Sequence, residues 1–171
     1  MSPFLTAIAT FFAEHDWSID HLDADDLDAP ENISITSVKG QHGTWPLVVG
    51  VVGDDPPYLV VQSIVPPIAP AGDEVSVLEL LTRMNDGLVA GCFELNFDDG
   101  SIRLRSSVPL GALAGVDAAT LVRLVDDVVT ANVVTADRFM PALEAVIDHG
   151  GAPSIAVAAV EAGMDPTTFG V

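Results

Sequence analysis

His15, Asp16, Asp20, His21, Asp23, Asp25, Asp26 and Asp28 crowd metal-type donors into one short stretch. A calcium loop needs a fixed series of oxygen ligands around a central glycine, and this stretch holds no glycine. A structural zinc site needs His or Cys at close helical or hairpin spacing, which His15 and His21 do not offer. The pattern therefore reads as a solvated acidic segment, and no metal ligands are expected.

Cys92 is the chain's single cysteine. A nucleophilic thiol needs a histidine base and an electropositive setting. Strand alternation instead places Cys92 beside Glu94 and Asn96, so it reads as a small buried hydrophobe. Two acyl-transfer and metal signatures, G-x-S-x-G and H-E-x-x-H, are missing, as are both the P-loop and G-x-G-x-x-G nucleotide patterns. No catalytic residue and no cofactor are implied.

Arg103 and Arg105 are two apart, so on a strand both leave the same face, opposite Ile102 and Leu104. They are a third of the chain's six basic residues. Two guanidinium forks side by side suit a carboxylate or phosphate. The plainer use is a cross-strand pairing with Glu94 or Asp99, which is worth little at a surface. Arg83 and Asn85 are the remaining binding candidates. Their plainer use is to close a helix, with a cation near its C-terminus and a residue tolerant of left-handed backbone.

These residues need elements to position them. Phe4, Leu5, Ile8, Phe11 and Phe12 recur at helical spacing behind Ser2 and Pro3, which predicts an amphipathic helix rather than a signal peptide. An acidic connector, Asp20 to Glu31, follows. Ile33 to Gly40, Trp45 to Val52 and Tyr58 to Val65 read as three strands of an antiparallel meander, separated by Gln41-His42-Gly43 and Asp54-Asp55-Pro56-Pro57.

Asp73 is positioned to cap a helix over Glu74 to Asp86, with Val77, Leu78, Leu81 and Met84 as its apolar stripe and Gly87 or Asn85 to close it. Cys92 to Phe97 and Ile102 to Val108 form a hairpin around Asp98-Asp99-Gly100. A long helix starts at Asp117, and Pro141 is expected to kink or restart it. The reading is an α+β fold, an antiparallel sheet of about five strands with helices on one side, in the order α-β-β-β-α-β-β-α. Residues 1–150 form a single domain, and 151–171 form a tail with a short helix around Ile155 to Val160.

Several segments carry a family likeness. They are Leu80-Leu81-Thr82-Arg83-Met84-Asn85, Gly91-Cys92-Phe93-Glu94-Leu95, Gly100-Ser101-Ile102-Arg103-Leu104-Arg105 and Asp137-Arg138-Phe139-Met140-Pro141-Ala142-Leu143. With the element order, they resemble the YbjN-like family of bacterial proteins, labelled sensory transduction regulators, whose fold is similar to that of type III secretion chaperones. The resemblance implies that fold and a homodimer, and it carries no reaction.

The chain's balance narrows its partners. Twenty-five acids against six bases give a formal charge of −19 over 171 residues. Phosphate neutralisation needs clustered Lys and Arg, and an anionic bilayer repels such a chain, so nucleic acid and membrane are excluded as partners. One cysteine permits no internal disulfide, and a reducing cytoplasm is expected. Charged residues are only 18% of the chain, which leaves apolar surface for association. The expected function is a non-catalytic, protein-binding domain of chaperone-like, adaptor or regulatory type. The alternative is a regulator that holds a small anionic ligand on Arg103 and Arg105.

Overall fold

The computed structural model describes residues 2–18 and 32–168. The acidic connector, and with it most of the metal-type donors, lies outside the described residues. Among those described, no three His, Cys, Asp or Glu side chains are grouped to hold an ion.

Element order is α1 (Pro3–Glu14), β1 (Ile33–Lys39), β2 (Thr44–Val52), β3 (Tyr58–Val65), α2 (Glu74–Asn85), β4 (Cys92–Leu95), β5 (Ile102–Pro109), α3 (Ala118–Ile147) and α4 (Pro153–Glu161). The strands make one antiparallel sheet in the order β1-β2-β3-β5-β4. The fold is α+β, as expected, and the predicted strands and long helix start within a residue of where they are found.

Period-two alternation separates the sheet's faces. Thr36, Val38, Trp45, Leu47, Val49, Leu59, Val61, Ser63, Phe93, Ile102, Leu104 and Ser106 are buried inward. The helices cover this inner face. Phe139 of α3 meets Phe93 edge-on at 5.8 Å, and Phe4 and Ala7 of α1 lie with Leu59, Leu121 and Val125. The segment read as a tail carries α4, whose Ala156, Val157 and Val160 belong to the same core.

Four local expectations need correction. First, Leu78 is exposed, and Leu80 takes its place in the buried stripe. Val77, Leu80, Leu81 and Met84 stand at i, i+3, i+4 and i+7, whereas Leu78 lies about 60° beyond the stripe's edge. Second, β4 stops at Leu95, because the Asn96 N–H already turns onto Ser101 O at 2.8 Å.

Third, of Gly87 and Asn85, the two residues read as closing α2, Asn85 is not the left-handed one. It is the last helical residue, and Gly87 takes the positive φ of 83°. Fourth, α3 does not restart at Pro141 and is one helix from Ala118 to Ile147. Proline lacks the N–H that the Asp137 carbonyl would accept. His42 Nδ1 lies 3.0 Å from that carbonyl and donates to it when the proton is on Nδ1. The lost helical bond is replaced from the β1–β2 turn.

Candidate functional site

The sheet face turned away from the helices collects the binding candidates. Register makes one row of Ile35, Val48, Gln62, Arg105 and Cys92 across all five strands. A second row holds Ile64, Arg103 and Glu94, and a third Ile33, Gly50, Val60 and Ser107. Ile33, Ile35, Val48, Val60 and Ile64 are half-buried there, with no described helix packed over them.

The charge of this face is opposite in sign to the rest of the chain. The five strands hold three bases, Lys39, Arg103 and Arg105, and one acid, Glu94. All four alternate with inward residues and so point outward. The strands' net charge is +2 in a chain of −19, so the remainder carries −21.

Glu94 closes on both arginines. Arg103 Nε donates to one carboxylate oxygen at 2.7 Å, and Arg105 donates to the other through Nε at 2.8 Å and Nη2 at 2.6 Å. Both guanidinium groups are thus engaged by the cross-strand partner, Arg105 through two nitrogens and Arg103 through one. Asp99 instead accepts the Ser101 N–H at 2.8 Å in the hairpin turn. Cys92, expected to be buried, is exposed on this outer face. Phe93 takes the inward position on so short a strand, and Cys92 therefore faces out.

Arg83 and Asn85 do not join the arginine pair. Arg83 donates to Glu79 at 2.8 Å along the exposed side of α2. The Asn85 amide pairs with the Phe93 backbone in both directions, accepting its N–H at 2.7 Å and donating to its C=O at 3.0 Å. It thereby imitates a neighbouring strand on the edge of β4 and blunts that edge.

One further constellation was not read from the sequence. A cleft of about 580 Å³ opens where the β1–β2 turn meets α3 and the end of α4, lined by Gln41, His42, Asp137, Arg138 and Asp165 among others. Asp137 accepts the Gln41 and His42 N–H groups at 3.0 and 2.9 Å. Asp165 accepts the N–H and hydroxyl of Thr167 at 2.9 and 2.7 Å. These carboxylates serve the protein's own turns. Neither this cleft nor the outer face sets a nucleophile against a base. Long-range pairing, at separations near 95 residues, leaves no local sequence signal for the Asp137 cluster.

A family model described as "Putative bacterial sensory transduction regulator", named YbjN, matches residues 5–145. The chain belongs to the YbjN family. The crystal structure of YbjN from E. coli is similar at 9% identity, covering 78% of this chain and 88% of that one with a TM-score of 0.49. No curated protein matches. In this YbjN-family chain, the segments that carry the likeness place structural residues. Gly91 has φ of 88°, and a Cβ there would lie 2.9 Å from Ser106 Oγ. Asn85 blunts β4, and the segment around Asp137 ties α3 to the β1–β2 turn.

Glu94 gives the face a pH signature. Partial burial alone would raise its pKa, but hydrogen bonds from Arg103 and Arg105, and their charges, hold it below the ordinary glutamate value. Its pKa is thus lower folded than unfolded. The stabilisation is complete above the unfolded value of about 4.3 and is lost as pH falls through the folded value. Glu94→Gln is expected to cost about 1 kcal/mol at pH 7. Urea titrations should find the variant and the parent converging as pH drops from about 5 toward 3. A gap that persists at the acid end would refute the ion-pair origin.

Proposed function

We propose that this YbjN-family chain is a non-catalytic regulatory domain that works by binding protein, and that the outer face of its sheet is the contact surface. The observation that carries the reading is the composition of that face. Aliphatic side chains and a closed Arg–Glu–Arg cluster occupy the one strand-built surface of an otherwise strongly acidic chain. Contact surfaces favour low acid content with arginine and apolar groups at the centre. The family description supports the regulatory part. Glu94 already offsets part of the arginine pair's charge and engages three of its N–H groups, which favours protein contact over capture of a small anion.

Site-specific photo-crosslinking in cells tests this. With p-benzoylphenylalanine in place of Gln62, at the middle of the face, irradiation should yield a protein adduct. The same probe in place of Thr130, exposed on α3, should not. Equal adducts from both positions, or none from position 62, would remove the sheet face as the contact surface.

A further inference from the structure

We infer that the β1 edge of the sheet binds an extended segment of another protein, added antiparallel beyond β1. The inference rests on the protein-binding reading above and gives the partner's chemistry.

The two edges of the sheet are unlike. On β4, four residues long, the Asn85 amide already fills the open backbone positions of Phe93. At the other end, β1 is seven residues long, contains no proline and pairs only with β2. Gly40 N–H donates to Gly43 O at 2.9 Å, and Val51 N–H donates to Asn32 O at 3.2 Å. The β1–β2 ladder is therefore bonded at the even-numbered residues of β1. Backbone groups of successive strand residues point to opposite sides of the strand. Those of Ile33, Ile35, Ser37 and Lys39 thus turn away from β2, and among the described residues no hydrogen bond reaches them. An open row of this kind is a template for an added strand.

The edge selects its occupant. Thr36 and Val38 point inward and are each 4% exposed, so inward residues of the added strand must be small or aliphatic. Its outward residues fall beside Ile33 and Ile35, which are half-buried, and β-branched side chains suit such a surface. Lys39 is the single charge on β1 and is exposed at its end. A carboxylate opposite it completes a cross-strand pair. The fitting segment is as long as β1, rich in β-branched residues, with one carboxylate and no base.

A second copy of this chain does not suit the edge. Outside β1 the chain carries −20, and pairing two β1 strands would set two acidic bodies side by side. An extended segment of a different protein brings no such body.

The test uses the full chain and the peptide Glu-Val-Thr-Val-Ile-Thr-Val, acetylated and followed by a Gly-Ser tail, whose antiparallel register sets its glutamate opposite Lys39. It should bind with a Kd below about 200 µM. Amide exchange should slow at least about tenfold at Ile33, Ile35, Ser37 and Lys39, and less at Thr36 and Val38, which are bonded to β2 already. Ser37→Pro removes one outward N–H and no bond to β2. It should keep Tm within about 4 °C and raise Kd at least about tenfold. Ser37→Val keeps the N–H and should leave Kd within about twofold. The peptide N-methylated at its isoleucine, whose N–H faces β1, should lose binding likewise with the protein unaltered.

No binding at about 1 mM peptide, or slowed exchange away from β1, would overturn the inference. So would an unchanged Kd for both a folded Ser37→Pro and the N-methylated peptide. Photo-crosslinking separates this failure from that of the broader reading. With the probe in place of Ile33, a protein adduct that Ser37→Pro abolishes supports the edge. An adduct from position 62 alone keeps the protein-binding face and discards the edge. An adduct from position 33 of twice 17.8 kDa puts a second copy there and overturns the inference.

Discussion

Asn132→Ala is expected to cost about 2–4 kcal/mol, lowering Tm by roughly 5–15 °C in a domain of this size. Asn132 sits on α3 above the middle of the sheet and is 2% exposed. Its amide nitrogen donates to Leu104 O and Ser106 Oγ, both at 3.0 Å, and its oxygen accepts from Ser63 Oγ at 2.7 Å. Ser63 and Ser106 are buried with it.

Alanine would leave two serine hydroxyls short of a partner in a dry site, with a cavity beside them. Removing all the polar groups together should cost less than removing one. Asn132→Leu combined with Ser63→Ala and Ser106→Ala is therefore expected to recover much of the loss. Calorimetry of the two variants checks this. An Asn132→Ala loss under about 0.5 kcal/mol, or a triple variant no better than the single, would show that the network does not fix α3 on the sheet.

Gly40→Ala should be comparably damaging, at about 2–4 kcal/mol, although it adds a single methyl group. A Cβ at Gly40 would overlap Asp137 Oδ1 and lie 2.7 Å from Cη2 of Trp45. Trp45 is 1% exposed and has no room to retreat. Asp137 can move only by releasing the N–H groups of Gln41 and His42, which its carboxylate accepts. The turn and the helix therefore compete for the same space. Asp137→Ala removes one of the two clashes, so the double variant should be less destabilised than the summed singles. Strict additivity in chemical denaturation would count against a shared contact.

Much of the architecture was legible because it is written in local periods. The two-residue alternation of Tyr58 to Val65, the start of the long helix at Asp117 and the hairpin at Gly100 each specify a neighbouring conformation without reference to the rest of the chain, whereas Asp73, read as a cap, makes no side-chain cap bond. The face shared by Arg103 and Arg105 was legible for the same reason, and the partner was narrowed to Glu94 or Asp99; the structure decides for Glu94, with Asp99 held by the Ser101 N–H. Asn85 was misread because its partner, Phe93, lies across the loop after α2. At the sequence level its position favoured a cap.

By itself the sequence determined the α+β class, the acidic body, the order of the elements and the sidedness of each strand. These follow from spacing and charge, which act over a few residues or over the whole chain at once. Only the tertiary structure decided that β5 lies between β3 and β4, because the α2 crossover allows more than one strand order. That placement puts Arg105 beside Gln62 and carries the row of Ile35, Val48, Gln62, Arg105 and Cys92 across all five strands. It likewise decided that His42 would supply the bond withheld by Pro141, and that α4 would complete the core. Such pairings close loops of up to nearly a hundred residues, and their free energy appears only once distant surfaces are buried together.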